Sequence, residues 1–179
     1  TFSNGLYFRQ MLQQAWLEFR SILKDVYFIA MILGGVLFLF LDGWLGNTIY
    51  GTPNLPMTYY MIESKNATYI IFVFIIIIFY TGEVVHRDKS VGFNQIADAL
   101  PTPNWMSYGS KFLAMAMVAF FLATMVWVVG VFSQTVQGYF NYEFGKYFTD
   151  LYLLEFPQYL QLVILAFFVH ILVNKKFLG

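Results

Sequence analysis

Four long stretches of this chain carry no charged side chain, and they dictate what it can fold into. Val26 to Leu41 holds 16 uncharged residues and reaches Leu45 if Asp42 sits among lipid headgroups; Asn66 to Gly82 holds 17, with an isoleucine core at Ile75 to Ile78. Phe112 to Tyr142 holds 31, most apolar up to Phe132, and Phe156 to Asn174 holds 19. A helix crossing roughly 30 Å of hydrocarbon at about 1.5 Å per residue needs about 20 mostly apolar residues. All four stretches qualify. The β-branched run Tyr69 to Ile78 would read as a strand in water, but an isolated strand in lipid leaves its backbone unpaired. The alternation that a transmembrane barrel needs is absent, so helix is the remaining form.

Composition agrees. Only 11% of residues are charged and 59% are hydrophobic, whereas a water-soluble domain carries about 25% charged residues to keep its surface wetted. Lipid is the expected solvent. Ten Lys plus Arg balance ten Asp plus Glu, so no basic field exists to attract nucleic acid. With no cysteine there is no disulfide framework, thiol nucleophile or thiolate metal site. Thr1 to Leu12 lacks the basic end, apolar run and small-residue cleavage site of a signal peptide, so insertion is expected to use the internal spans.

Cation placement predicts orientation. Arg9, Arg20, Lys24, Arg87, Lys89, Lys111, Lys175 and Lys176 fall on one side and Lys65 and Lys146 on the other, eight against two, while the acids divide five and five. The positive-inside rule counts cations, so both ends and the loop from Glu83 to Lys111 are expected in the cytoplasm. Trp44, Tyr50, Tyr59 and Tyr60 suit the outer interface, and Trp16 and Trp105 the inner one.

Three segments outside the spans have helical periodicity. Over residues 7–24, Phe8, Met11, Leu12, Ala15, Trp16, Phe19, Ile22 and Leu23 recur at three- and four-residue steps with polar residues mostly opposite, which predicts an amphipathic helix, lying at the interface or packed on neighbouring helices. Over 87–100, Phe93, Ile96, Ala97 and Leu100 form an apolar stripe that stops at Leu100-Pro101. That helix either docks into a groove on a soluble partner or lies flat on the bilayer. Phe140, Phe144, Phe148, Leu151 and Leu154 predict an outer surface helix over 140–155, ahead of a last span at 157–173. Residues 50–56, with Gly51, Pro53 and Pro56, form the irregular outer loop.

Catalytic chemistry finds little footing. Glu83 and His86 have the spacing of half a di-iron carboxylate site, but the second half is missing. His170 stands on the last span with no acid within a turn. No zinc-protease, nucleophile-elbow or phosphate-loop motif occurs, so the chain alone does not hydrolyse ATP. No acid, lysine or arginine falls mid-span, which disfavours an ion-coupled carrier. The few polar residues within the spans, Thr124, Ser133, Gln134, Gln161 and His170, suit a hydrophobic cargo or none. The readings that stand are a transport subunit powered by a partner, a membrane anchor or scaffold, and, weakest, an intramembrane enzyme.

The loop carries more specific information. Gly82-Glu83, His86-Arg87-Asp88, Gly92, Ile96, Leu100-Pro101, Pro103-Asn104-Trp105 and Lys111-Phe112-Leu113-Ala114 resemble the loop between the second and third spans of ABC-2 type transporter permeases. The segments from Tyr50 to Pro56 and from Leu172 to Gly179 are similar to the bacterial branch that continues into a gluzincin-type zinc aminopeptidase domain. The charge-free stretches predict an all-α polytopic helix bundle with four transmembrane helices at 26–45, 66–85, 105–132 and 157–173, which is similar to a four-span part of the permease region. The resemblance implies a connecting helix at 7–24 and a cytoplasmic coupling helix at 87–100 that docks on a separate ATP-binding cassette subunit. Contact residues would then be Glu83, His86, Arg87, Asp88, Phe93 and Ile96. A second permease half or a homodimeric mate is implied, as is a bacterial inner-membrane location. Such permeases have six spans, so residues 1–179 are expected to be part of a longer chain. No catalytic residue, metal ligand or cofactor is expected here, and any peptidase activity would belong to residues outside this sequence.

Overall fold

In an apolar solvent each backbone N–H and C=O must be satisfied within its own segment, and the chain responds with helix almost throughout. The computed structural model describes residues 4–45, 48–49, 52–53, 55–90 and 104–173. In order these form α1 (Asn4–Leu23), α2 (Val26–Leu45), a minimal hairpin of β1 (Thr48–Ile49) and β2 (Thr52–Pro53), and α3 (Thr58–Glu63) with a 3-10 turn (Ser64–Asn66). They continue as α4 (Tyr69–Ser90), α5 (Asn104–Val136), α6 (Phe144–Phe148), a π-helical segment (Thr149–Glu155) and α7 (Phe156–Val173). The hairpin pairs Thr48 with Pro53 and Ile49 with Thr52 in antiparallel register. Four helical stretches, Val26–Leu45, Tyr69–Arg87, Trp105–Val136 and Phe144–Val173, are long and apolar enough to cross a membrane.

Besides the short hairpin, whose second strand falls in a loop expected to be irregular, two stretches differ from the sequence expectation. α5 does not stop near Phe132 but runs for 33 residues, about 50 Å and well beyond the hydrocarbon thickness. Its end is set by Gly138, whose φ of 75° lies in the left-handed region. That turn lets Tyr139 N–H reach the Gln134 carbonyl at 2.9 Å and Gly138 N–H reach that of Thr135 at 3.0 Å. This paired closure satisfies carbonyls that the helix end would otherwise orphan. The second difference concerns residues 140–155, expected as a surface helix separate from a span at 157–173. Residues 140–143 are not helical, and helical backbone is unbroken from Phe144 to Val173. Pro157 would clash with the carbonyl four residues earlier in a regular α-helix. Here the turn before it is widened: Phe156 N–H bonds Leu151 O, a five-residue step that lets the helix pass the proline.

The chain divides into two units, with the division falling inside α4, α5 and α7. One comprises Thr1–Asp25, Ile77–Val118 and Leu160–Gly179. Its buried residues include Ala15 and Ile22 of α1, Val84 of α4, Ala114 and Met115 of α5, and Val163 of α7. The rings of Phe112 and Phe167 meet edge to face at 5.9 Å.

The other unit comprises Val26–Ile76 and Ala119–Tyr159. Phe28 and Leu39 of α2, Val73 and Ile76 of α4, Leu122 and Val126 of α5, and Leu151 of the π segment are buried within it. Tyr69 is wholly buried and donates to the Leu122 carbonyl at 2.7 Å, so its one polar atom stays satisfied in an apolar core.

Candidate functional site at the end of the second span

Glu83, His86 and Arg87, three of the residues singled out from the sequence, sit where α4 leaves its apolar stretch. Arg87 stays exposed and bridges to α1: its guanidinium donates to Glu18 at 2.9 Å and to Ser21 Oγ at 3.4 Å. One turn and three residues back on α4, Tyr80 donates to Asp25 Oδ1 at 2.9 Å. Two polar ties thus join α4 to α1 and to Asp25 in the two-residue link between α1 and α2. An ion pair with one side chain 45% exposed contributes at most about 1 kcal/mol. Its effect is therefore to fix geometry more than to stabilise the fold.

His86 points the other way. It is 5% exposed, although the resemblance places it among the contact residues for a separate subunit. An imidazole packs there because the opposite helix supplies another: the rings of His86 and His170 stand 5.8 Å apart at 80°. His170 Nε2 lies 3.2 Å from the Ile78 carbonyl. Because a carbonyl only accepts, Nε2 is the donor in that bond. Gly82 makes room for the ring, since a Cβ there would stand 2.7 Å from His170 Cε1. Glu83 is half-buried. The Asp88 side chain, Phe93 and Ile96 lie outside the described residues, as does the coupling segment beyond Ser90. The part of the expected coupling helix that is described, 87–90, continues α4 without a break.

Sequence reasoning missed the α1 side of these ties. Its signal was faint but present: Glu18 is the one acid in α1 and falls on the same helical face as Ala15 and Ile22, the two buried residues. A lone carboxylate on an inward face calls for a cationic partner. Lys111 is also buried, at 3% exposure.

In the other unit, polar groups collect near the start of α4. Lys65, buried to 3%, pairs with Glu155 at 2.9 Å, beside a cleft of about 190 Å³ lined by Tyr59, Glu63, Asn66 and Asp150 among others. Tyr59 donates to Glu63, and that bond with the carboxylate charge raises the phenol above its usual pKa. Lys146 stands over the Tyr59 ring at 5.2 Å.

The polar residues within the spans are mostly consumed internally. Thr124 bonds the Phe120 carbonyl and Tyr152, each at 2.9 Å. Gln134, wholly buried, donates to the Pro56 carbonyl at 2.9 Å and accepts from Tyr147 at 3.0 Å. Gln161 is exposed. Among the described residues no group of three or more His, Asp or Glu side chains is placed to hold a metal ion.

Fold and site together define a chain that is helical almost throughout its described residues, with four helices long and apolar enough to cross a membrane, as fits a multi-pass membrane protein. Compared with known proteins, it matches no family, no curated sequence and no solved structure.

Proposed function

We propose that this chain is a membrane subunit of an ABC-2 type transporter permease, moving a hydrophobic or lipid-like cargo with the help of a separate ATP-binding subunit. The observation that carries the reading is the attachment of α1 to the end of α4 by Arg87–Glu18, backed by the Tyr80–Asp25 bond between the middle of α4 and the link that follows α1. A force applied to the segment after α4 would reach α1 through these ties, as a coupling helix beside a connecting helix requires. The internal saturation of Thr124 and Gln134 supports an apolar cargo, since neither is left to line a polar path. In this reading Arg87, Asp88, Phe93 and Ile96 face the ATP-binding subunit on the cytoplasmic side of an inner membrane, with a second permease half completing the pathway. The same saturation of polar groups also suits a non-transporting anchor, which is the second reading.

Co-purification with an ATP-binding cassette subunit, and its ATPase rate, separate the two. Arg87→Glu combined with Phe93→Ala should abolish stimulated ATPase while leaving the four spans inserted. The exchange Glu18→Arg with Arg87→Glu restores the ion pair in reverse and should recover part of the coupling. Unchanged binding and stimulation in the first variant would leave the anchor reading standing.

A further inference from the structure

α1 is a three-sided helix. Successive residues are about 100° apart around its axis, and the burial pattern divides that circle. Ala15 and Ile22 are 0% and 4% exposed, and Met11 and Glu18 beside them are half-buried; this side faces its own unit. The adjoining side holds Phe8, Leu12 and Trp16, which are 55%, 42% and 55% exposed, with the Phe19 ring tilted beside that of Trp16 at 5.7 Å. Next around the axis come Arg9, Gln13 and Arg20, all exposed. Leu6 and Leu17 interrupt the remaining polar arc.

One apolar face has thus been used to join the unit, and a second, aromatic one is left over. The charges say what covers it. Glu18, the one acid of α1, is taken by Arg87, so the free charges on α1 are cationic. Among the described residues neither Arg9 nor Arg20 is held in an ion pair. Position agrees: only Lys24 and Asp25 separate α1 from Val26, the first residue of a membrane-crossing stretch. The C-terminal end of α1 therefore lies within two residues of the lipid boundary. Where such a helix lies along that boundary, a tryptophan sits among headgroups and an arginine reaches their phosphates.

We propose that the Phe8–Leu12–Trp16–Phe19 face of α1, edged by Arg9 and Arg20, docks into the headgroup layer of an anionic membrane leaflet. The sequence pattern left open whether this helix lies at the interface or packs on its neighbours, and the burial pattern assigns one face to each. The inference rests on the membrane-spanning character of the chain alone and is independent of any transported cargo or ATP-binding partner. An arginine near an anionic surface strengthens attachment about fivefold, so the pair contributes roughly 30-fold.

The chain has no cysteine, so an environment-sensitive fluorophore can be placed at Leu12→Cys or Gln13→Cys in the full chain, reconstituted in vesicles. In phosphatidylcholine containing phosphatidylglycerol, the label at 12 should be quenched by spin-labelled lipid and shielded from iodide, and the label at 13 should show the reverse. Arg9→Gln with Arg20→Gln should weaken docking of the label at 12 by roughly 30-fold, and added salt should have a similar effect. Arg9→Lys with Arg20→Lys, which keeps the charge, should dock nearly as well and controls for folding. Three results overturn the proposal: equal iodide access at 12 and 13, equal docking in pure phosphatidylcholine, or shielding that appears only when copies are crowded in the membrane.

Discussion

Replacing Gln134 by leucine tests how one buried amide organises the end of α5. The side chain donates to the Pro56 carbonyl at 2.9 Å and to Thr58 Oγ1 at 3.3 Å, and accepts from Tyr147 at 3.0 Å. Thr58 Oγ1 also accepts the Glu143 N–H at 3.3 Å. A single residue therefore ties α5 to the segment before α3 and to α6. Leucine fills the volume but leaves the Pro56 carbonyl and the Tyr147 hydroxyl buried without Gln134. Orphaned buried groups cost about 1–3 kcal/mol each, whereas hydrogen bonds between helices in lipid average about 0.6 kcal/mol. Gln134 stands two residues before the end of α5, where the loop can partly relax, so the expected loss is roughly 2–4 kcal/mol, between those accounts. Tyr147→Phe alone leaves one amide oxygen unpaired and should cost about 1 kcal/mol. The double variant carries the decisive sign. Once leucine is present the Tyr147 hydroxyl has lost its acceptor, so removing it should cost nothing or restore stability. Unfolding titrations in detergent micelles, followed by tryptophan fluorescence, measure all three. If the two losses simply add, the groups do not act as one unit and the reasoning fails.

Two further outcomes follow from contacts elsewhere. Gly82→Ala places a methyl group 2.7 Å from His170 Cε1, so the ring must leave its bond to the Ile78 carbonyl; overpacking of this kind costs about 1–3 kcal/mol. Adding His170→Ala to that variant should recover part of the loss in the same titration, and a cost that is unchanged would show that the ring is not what the methyl meets. Lys65→Met strips Glu155 of a partner that is itself buried. Removing one member of a buried pair costs about 3 kcal/mol or more, and the 17% exposure of the Glu155 side chain places this case at the low end. Lys65→Met with Glu155→Gln should be less destabilised than Lys65→Met alone, and the reverse order would remove Lys65 as the group that holds Glu155.

The four membrane-crossing stretches were legible in the order of residues because length without charge is a local property: Val26 to Leu41 announces a span whatever surrounds it. The amphipathic period of α1 was legible for the same reason. Where helices end was less so. Gly138 closes α5 through its positive φ, and the π turn before Pro157 keeps α7 joined to α6. Both depend on backbone geometry that hydrophobic patterning does not encode. Partnerships across the sequence were invisible: Arg87 finds Glu18, 69 residues away, and His86 turns inward to meet His170. A charged or ring side chain at a helix end reads alike whether it faces water or a neighbour, because the choice is made by what another helix presents. Local chemistry decided that this chain forms apolar helices, and only packing decided which of their few polar groups remain free to act.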